Sequence, residues 1–231
     1  MTAPEALSGP RSASSVEERA RLSLGTSASA IYEMVERIVK SLLPNGLLAD
    51  VGCGTGNLYP FVRRFTTRYI GIDILRYDEF PDGAEFRAVN LDTGRLPLED
   101  GTVDVAVAVE TIEHLENPRA FVRELTRVVR PGGWVVLTTP NQRSLLSLMT
   151  LLHRGHYAAF QSSDYPAHLT ALLEMDLLRI GAECGLTEAR FEYSRSGRIV
   201  WTAAHFPRLL SDAAPRLLSD NLCYLGRKPL V

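Results

Sequence analysis

Residues 47–58 read LLADVGCGTGNL, and this stretch decides the fold. Its first five residues are mostly apolar and predict a buried strand, and glycines at positions 52, 54 and 56 predict a turn that opens a helix. Glycine at alternate positions permits backbone angles that other residues avoid, and it lets a ligand lie against the main chain. The stretch therefore predicts a strand and a loop that together hold a nucleotide-like cofactor.

Two familiar phosphate-binding loops do not match this sequence. The dinucleotide fingerprint G-x-G-x-x-G needs a third glycine where this chain has Asn57. A P-loop needs glycine, lysine and then serine or threonine, and the lysine is absent here. What remains is D-x-G-x-G-x-G, with Asp50 at the end of the strand.

The composition fits one domain in a reducing compartment. A chain of 231 residues with 45% hydrophobic residues can bury a full α/β core. The net charge of −2 argues against a polyanion-binding surface over the whole chain, and hence against nucleic acid as a partner. The three cysteines are odd in number and lack C-x-x-C spacing, which predicts a cytoplasmic setting. Cys53 is expected to pack within the glycine loop rather than to react.

The first 28 residues are predicted to form a flexible or lid-forming arm, because they are rich in Ser, Ala and Pro. They contain no apolar run of signal-peptide length. The longest predominantly apolar run, residues 145–152, is far shorter than the roughly 20 residues that a membrane span needs. We therefore expect a soluble protein without membrane contact, with one domain over residues 29–231.

Strands and helices alternate through most of this domain, which is typical of an α/β fold. Apolar residues at helical spacing predict a helix from residue 30 to the Pro44 region, and a second helix after the glycine loop. A third helix is predicted to begin at Asn117-Pro118 and to end before Pro131-Gly132-Gly133. Further strands are predicted over residues 69–73, 84–89, 103–109 and 134–138, with a crossover between the first two that is too short for a long helix.

The alternation breaks after residue 141. Residues 142–168 hold a short helix and a long loop, and a loop of this length within a compact domain often covers a binding site. We predict that this segment forms a cap over the substrate. The remaining elements are predicted as a helix over residues 170–182, a strand over 187–193, a loosely helical stretch over 203–218 and a final strand over 222–226.

The strand over residues 69–73 ends on a carboxylate, Asp73. In nucleotide-binding α/β folds, an acid at the end of the second strand accepts hydrogen bonds from ribose hydroxyls, because a carboxylate has two acceptor oxygens. The alternative for Asp73 is a helix N-cap.

Taken together, four segments resemble the class I S-adenosylmethionine-dependent methyltransferases, and in particular the broad bacterial group that acts on small molecules. They are LLADVGCGTGNL, YIGIDI, LPLEDGTVDVAVAVETIEHLENPRAFVRELTRVVRPGGWVVLTTPN and NLCYLGRKP. The resemblance covers roughly residues 30–231. It implies an α/β fold with a Rossmann-like, seven-stranded, doubly wound sheet whose last strand is antiparallel.

The resemblance implies S-adenosylmethionine as the cofactor, with S-adenosylhomocysteine as its product. The glycine loop would cradle the cofactor, Asp50 would bind its methionine end and Asp73 its ribose, while Glu110 would close the pocket. Relatives commonly carry Asp where this chain has Asn90, so Asp92 is an alternative acceptor for the adenine amino group. The predicted cofactor-binding set is Asp50, Gly52, Cys53, Gly54, Gly56, Asp73, Ile74, Asn90, Leu91, Asp92 and Glu110.

The same resemblance implies a small-molecule methyl acceptor, and we expect O-methylation. A hydroxyl acceptor needs a base, and His114 is the candidate because imidazole ionises near neutral pH. The alternative is that His114 caps or packs beneath the following helix. His156, Tyr157 and His168 are predicted substrate contacts, and for His168 the alternative is a hydrogen-bonded surface histidine. This interpretation predicts no metal ligand.

Two other functions stay open. Glu110-x-x-Glu113-His114 resembles the metal motif of the enzymes that methylate the 2′-hydroxyl at the 3′ ends of small RNAs, and that role would recruit a further histidine such as His168. The lack of a strongly basic charge balance argues against it. A protein that binds the cofactor as a sensor or scaffold, without catalysis, would also keep the glycine loop and Asp73.

Overall fold

The computed structural model describes residues 17, 20–21, 25–42 and 45–230. Seven strands form one sheet: β1 (Leu47–Val51), β2 (Arg68–Asp73), β3 (Glu85–Ala88), β4 (Val103–Ala108), β5 (Val129–Pro140), β6 (Thr187–Tyr193) and β7 (Asn221–Arg227). Their order across the sheet is β3-β2-β1-β4-β5-β7-β6. β7 is antiparallel to both of its neighbours, and the pairs formed among β1 to β5 are parallel. The predicted fold class is confirmed.

Helices cover both faces of this sheet. Those that the structure describes are α1 (Ser29–Leu42), α2 (Tyr59–Val62), α3 (Pro118–Val128), α4 (Leu145–Arg154), α5 (Glu174–Glu183) and α6 (Arg208–Ala213), and a 3₁₀ turn covers Ile112–His114. Residues 74–84, all of which are described, contain no helix, in agreement with the predicted short crossover. Among the described residues, no helix combines the length and the apolar character of a membrane span.

β4 is apolar along most of its length because both faces of the sheet are covered. Val107 belongs to a core cluster that includes Val35 of α1, whereas the adjacent Ala106 belongs to a second cluster that includes Leu125 of α3. Successive side chains of a strand point to opposite faces of the sheet. A strand that is buried on both faces therefore reads as a nearly continuous apolar run.

β5 is longer than predicted. The triplet Pro131-Gly132-Gly133, predicted to separate the helix from the strand, lies within β5. Gly132 has a φ of 79°, and its N–H donates a hydrogen bond of 2.9 Å to the carbonyl of Lys228. The pairing of β4 with β5 shifts register between Val103 and Val105. The strand thus accommodates the glycines as a local bulge instead of ending at them.

α5 begins later than predicted, at Glu174. Leu173 precedes it as the N-cap, with an extended backbone at a ψ of 163°. Earlier in the segment, the N–H groups of Leu169 and Thr170 donate to the backbone carbonyl of Glu113, at 2.8 and 3.0 Å. The N–H of Leu173 donates to the Asp176 carboxylate at 3.0 Å where the helix starts. The two hydrogen bonds to the Glu113 carbonyl join distant parts of the chain, and they fix the end of the predicted cap beside the 3₁₀ turn.

The sheet brings the carboxyl ends of β1, β2 and β4 to one edge. Asp50 of β1 pairs with Gly71 of β2 and with Val107 of β4. The loop after β1 is tied to β2, since the N–H of Gly52 donates to the carbonyl of Ile72 at 2.7 Å. Ligands of open α/β sheets bind outside the carboxyl ends of the strands. This edge is therefore the expected position of the site.

Candidate functional site

A cavity of about 600 Å³ opens at the carboxyl ends of β1, β2 and β4. Small-molecule sites range from roughly 300 to 1,000 Å³, so this cavity is large enough for a cofactor and part of a substrate. The predicted site residues in its wall are Asp50, Gly52, Cys53, Gly54, Asp73, Ile74, Leu91, Asp92, Glu110, His114 and His168.

The glycine loop lies closer to its neighbours than side chains would allow. Gly52 and Gly54 have φ values of 80° and 51°. A Cβ atom at Gly52 would lie 2.3 Å from Oγ1 of Thr111, and one at Gly54 would lie 2.2 Å from the carbonyl oxygen of Gly25. Both the positive φ and the close approach require glycine. The loop therefore presents bare backbone to the cavity.

Part of the N-terminal arm covers the glycine loop. The carbonyl oxygen of Gly25 accepts hydrogen bonds from the N–H and Oγ1 of Thr55, at 3.0 and 3.1 Å. The Tyr77 hydroxyl donates to the carbonyl of Ala20 at 2.7 Å. Ala20 and residues 25–28 thereby form part of the cavity wall. Movement of the arm as a lid stays a prediction, and much of the arm lies outside the described residues.

Asp50 is buried at the end of β1 and faces the cavity. Its Oδ2 accepts a hydrogen bond of 2.5 Å from the Tyr69 hydroxyl, and Oδ1 has no hydrogen-bond partner among the described residues. Burial raises the pKa of Asp50 to about 7, although the bond from Tyr69 lowers it. A nearby cation would favour the ionised carboxylate. The orphaned oxygen therefore fits the cationic cofactor that the sequence predicts.

Asp73, at the end of β2, holds the glycine loop in place. Its Oδ2 accepts from the N–H of Gly54 at 2.9 Å, and its Oδ1 accepts from the N–H of Ile74 at 2.7 Å. Burial raises the pKa of Asp73, and these backbone hydrogen bonds oppose the rise. No helix follows within residues 74–84, so the N-cap alternative does not apply. Each carboxylate oxygen has a second lone pair, so Asp73 can still accept hydroxyl groups.

Beyond β3, Leu91 and Asp92 line the cavity, whereas Asn90 lies outside its wall. Oδ1 of Asn90 accepts a hydrogen bond of 2.9 Å from the N–H of Asp92, which is an Asx turn. The turn uses the amide oxygen that was predicted to contact adenine. Of the two candidates for that contact, Asp92 is the one beside the cavity.

Three other predicted site residues lie outside the cavity wall: Gly56, His156 and Tyr157. Gly56 shapes the loop instead, with a φ of 77°. Nδ1 of His156 lies 3.0 Å from the carbonyl oxygen of Tyr157, and the next residue, Ala158, donates its N–H to Oγ of Ser147 in α4. The loop of the predicted cap runs from the end of α4 to residue 168 and is named the cap loop. Its first half therefore contacts α4 rather than the cavity.

The second half of the cap loop lines the cavity, through Ser163, Asp164, Tyr165, Ala167 and His168. Of these residues, only His168 is a predicted site residue. The length of the loop was the available signal, and it indicated a binding wall without indicating which half forms it.

A family model described as "Methyltransferase domain" matches residues 27–187. A curated protein of Mycolicibacterium smegmatis, named "Probable S-adenosylmethionine-dependent methyltransferase", is 38% identical over 186 residues, which cover 74% of this chain and 68% of that protein. The chain is a class I S-adenosylmethionine-dependent methyltransferase. The predicted family, enzyme class and cofactor are thereby confirmed.

The methyltransferase is also similar to two further proteins. A "Ubiquinone biosynthesis O-methyltransferase" of Bordetella avium is 31% identical over 130 residues, which cover 52% of this chain and only 53% of that protein. The crystal structure of a SAM-dependent methyltransferase from Archaeoglobus fulgidus matches with a TM-score of 0.63 at 17% identity, covering 89% of this chain and 96% of that one. The second likeness concerns the fold alone.

The cavity of the methyltransferase also contains a group formed by Glu113, His114 and His168. One ring nitrogen of each histidine and one oxygen of Glu113 all lie within 4.8 Å of one another. The two rings meet edge to face, with centroids 4.8 Å apart. Nδ1 of His114 lies 2.8 Å from the carbonyl oxygen of Ala167. Because a carbonyl oxygen only accepts, Nδ1 carries the proton, and the lone pair of His114 is on Nε2.

The two glutamates of this region differ in their surroundings. Glu113 is fully buried, and neither of its oxygens has a hydrogen-bond partner among the described residues. Burial raises the pKa of Glu113 well above its usual range, and the Glu110 carboxylate raises it further, while the neighbouring Thr139 hydroxyl lowers it. Oε2 of Glu110 accepts a hydrogen bond of 2.7 Å from Nδ2 of Asn221, and burial raises the pKa of Glu110 to about 7. Asn221 thus holds Glu110, whereas the Glu113 carboxylate lacks a comparable partner.

The affinity of the methyltransferase for S-adenosylhomocysteine is expected to fall as the pH is lowered through about 7. Below the pKa of Asp50, the ammonium group of the ligand must displace a proton from this carboxyl before the two can pair. Each pH unit below the pKa then costs up to about tenfold in affinity. Calorimetric titration between pH 6 and 8 measures this change.

Asp50→Asn serves as the control, because an amide of the same shape cannot ionise. We expect this variant to bind S-adenosylhomocysteine more weakly at pH 8 and to lose the part of the pH dependence that Asp50 causes. An unchanged pH profile in Asp50→Asn would assign the titration to another group.

Proposed function

We propose that this methyltransferase transfers a methyl group to a hydroxyl group of a small molecule. The observation that carries the proposal is the position of His114, beside Glu113 and His168, in the wall of the same cavity as the predicted cofactor residues. A hydroxyl acceptor must lose its proton during the reaction, so it benefits from a base. The name of the Bordetella avium relative, an O-methyltransferase, agrees with this assignment.

The cofactor would lie over the glycine loop. The backbone of Gly52 and Gly54 leaves room for it, Asp50 would pair with its cationic groups, and Asp73 would accept its ribose hydroxyls. Asp92 would contact the adenine. When bound, S-adenosylmethionine supplies a methyl group on a sulfonium: the acceptor oxygen takes the methyl, and the sulfur keeps the electron pair of the broken carbon–sulfur bond.

His114 would take the hydroxyl proton when no cation is bound beside it. The hydrogen bond from its Nδ1 to the carbonyl of Ala167 fixes the ring and leaves the lone pair on Nε2. A positioned general base of this kind typically contributes about 10²–10⁴-fold to a rate. His168 lies against the His114 ring and would limit where the acceptor can sit.

Enclosure of the acceptor would supply much of the remaining rate enhancement. The cavity that His114 lines is also lined by the second half of the cap loop and by residues 25–28. Holding the acceptor and the methyl group in line can lower a barrier by about 7–11 kcal/mol. Residues 163–168 and the N-terminal arm are therefore the segments in which acceptor specificity is expected.

The proposal is tested by incubating the full chain with methyl-labelled S-adenosylmethionine and separate pools of phenols, sugars, amines and thiols. We expect label in a hydroxyl-containing product, identified by mass spectrometry. Label found only on nitrogen, sulfur or carbon would refute O-methylation. A single-stranded RNA with a 3′-terminal 2′-hydroxyl tests the rival acceptor, and a scaffold would bind S-adenosylhomocysteine without transferring label to any pool.

A further inference from the structure

We infer that Glu113, His114 and His168 form a binding site for one divalent first-row transition-metal cation, in the wall of the cofactor cavity. The three residues come from the 3₁₀ turn after β4 and from the end of the cap loop, and all of them line the cavity. Binding of the cation is independent of the acceptor. Its role in catalysis rests on the proposed O-methylation.

The type of ligand favours this class of cation. Two imidazoles and one carboxylate resemble the mixed nitrogen and oxygen sets that bind Zn²⁺, Fe²⁺ and Co²⁺, whereas Mg²⁺ and Ca²⁺ prefer sites made of oxygen alone. Three protein ligands also leave coordination positions open, as in catalytic rather than structural metal sites.

The three potential ligand atoms lie near enough for side-chain rotations to bring them around one cation. One potential ligand atom from each of the three residues lies within 4.8 Å of the other two. Bonds of about 2.0–2.2 Å in tetrahedral geometry place two ligands of one cation roughly 3.3–3.6 Å apart. Side-chain rotations that bring the atoms together by up to about 1.5 Å would therefore close the site.

The Glu113 carboxylate supplies an independent observation. It is fully buried, and both of its oxygens lack a hydrogen-bond partner among the described residues. Buried carboxylates in proteins are usually paired, hydrogen-bonded or bound to a metal, because an isolated buried charge is costly. Oε1 of Glu110 is also buried and without a partner in the described chain, so it is available as a fourth ligand.

The orientation of the two histidines matches that of metal ligands. Nδ1 of His114 is hydrogen-bonded to the carbonyl of Ala167, and Nδ1 of His168 is hydrogen-bonded to the carbonyl of Ala159. A ligating histidine commonly donates its other ring N–H to a backbone carbonyl or a carboxylate, which fixes the tautomer and the ring. In both residues the lone pair is then on Nε2. The cap loop supplies both carbonyls and thus aligns both rings.

A cation here would change the role of His114 from base to ligand. The open coordination positions would face the cavity, where the oxygen of the acceptor can bind. A cation-bound hydroxyl is more acidic than a free one, so its proton can pass to solvent water before the methyl group is transferred. The site would thereby select acceptors that carry a hydroxyl.

Titration of chelator-treated full-length protein with Co²⁺ tests the inference without any acceptor. We expect one equivalent to bind, with visible absorption bands of a nitrogen- and oxygen-ligated ion. Glu113→Gln keeps the shape of the side chain and removes its charge. His168→Asn can keep the hydrogen bond to the Ala159 carbonyl while it removes Nε2. Each substitution is expected to lower Co²⁺ affinity by more than about 100-fold, since loss of an outer-shell partner alone costs roughly 10–100-fold.

His153→Asn is the matched control, because His153 is exposed on α4 and outside the cavity wall. This variant should bind Co²⁺ as the wild type does. The inference is overturned if the wild type binds no stoichiometric Co²⁺, or if His168→Asn binds it equally well.

S-adenosylhomocysteine binding, measured on the same samples, shows that the variants are folded. If Glu113→Gln no longer binds S-adenosylhomocysteine, its fold is disturbed, and the Co²⁺ affinity of His168→Asn alone tests the cation site. Methyl transfer to hydroxyls is scored separately, so failure of the proposed O-methylation and failure of the cation site give different results.

Discussion

Replacing Gly54 with alanine is expected to lower the affinity for S-adenosylhomocysteine by at least about tenfold. The φ of Gly54 is 51°, a conformation that costs an L-residue roughly 1–2 kcal/mol. The new Cβ would also lie 2.2 Å from the carbonyl oxygen of Gly25. Because this neighbour is backbone, the loop or the arm must move. A loss of about 1.4 kcal/mol already corresponds to tenfold in affinity, and calorimetric titration measures it.

Gly185→Ala is the control for the cost of the backbone conformation alone. Gly185 has a φ of 81°, and a Cβ there would meet nothing within 4 Å. We expect this variant to be less stable than the wild type, with unchanged ligand affinity. If Gly54→Ala binds S-adenosylhomocysteine as tightly as Gly185→Ala does, the close approach of the arm to the glycine loop has no role in binding.

Replacing His114 with asparagine is expected to lower the rate of methyl transfer by about 10²–10⁴-fold, the contribution typical of a general base. Asparagine can still donate to the carbonyl of Ala167, as Nδ1 does now, but it lacks the basic Nε2. Because His114 does not belong to the predicted cofactor-binding set, binding of S-adenosylhomocysteine should be unchanged. Single-turnover rates at saturating cofactor measure the effect. A variant that transfers methyl groups at the wild-type rate would remove His114 from the reaction.

The variant Glu113→Gln distinguishes the two roles of His114. If His114 acts only as a base, Glu113→Gln keeps most of the activity, and chelators have no effect. If both residues bind one cation, each single substitution removes the same function, so the double variant is hardly slower than either single one. In that case activity is lost on treatment with a chelator and returns when Co²⁺ or Mn²⁺ is added.

The cofactor end of the cavity could be predicted because it depends on short segments. Asp50 and Asp73 each follow a buried strand directly, and parallel neighbouring strands must bring their carboxyl ends together. The glycine spacing showed where the backbone would be bare. Each of these patterns spans about a dozen consecutive residues, so it can be recognised from the sequence without knowledge of long-range contacts.

The details of that end depended on local hydrogen bonds that composition does not reveal. Asn90 and Asp92 are two residues apart, and either could have faced the adenine. The structure bonds the Asn90 side chain to the Asp92 N–H in an Asx turn, and of the two residues only Asp92 lines the cavity. The helix predicted from residue 170 likewise begins only at Glu174, because Leu173 is extended and the Asp176 carboxylate caps the helix at its N–H.

The sequence by itself determined the fold class, the methyl donor and the strand ends that line the cavity. Only the tertiary structure decided which other residues line it. His114 and His168 lie in segments far apart in the chain, and the path of the loop between them brings their rings together. The periodicity of either segment carries no information about that contact. The glycine loop consists of neighbours in sequence, whereas His114 and His168 are neighbours in space alone.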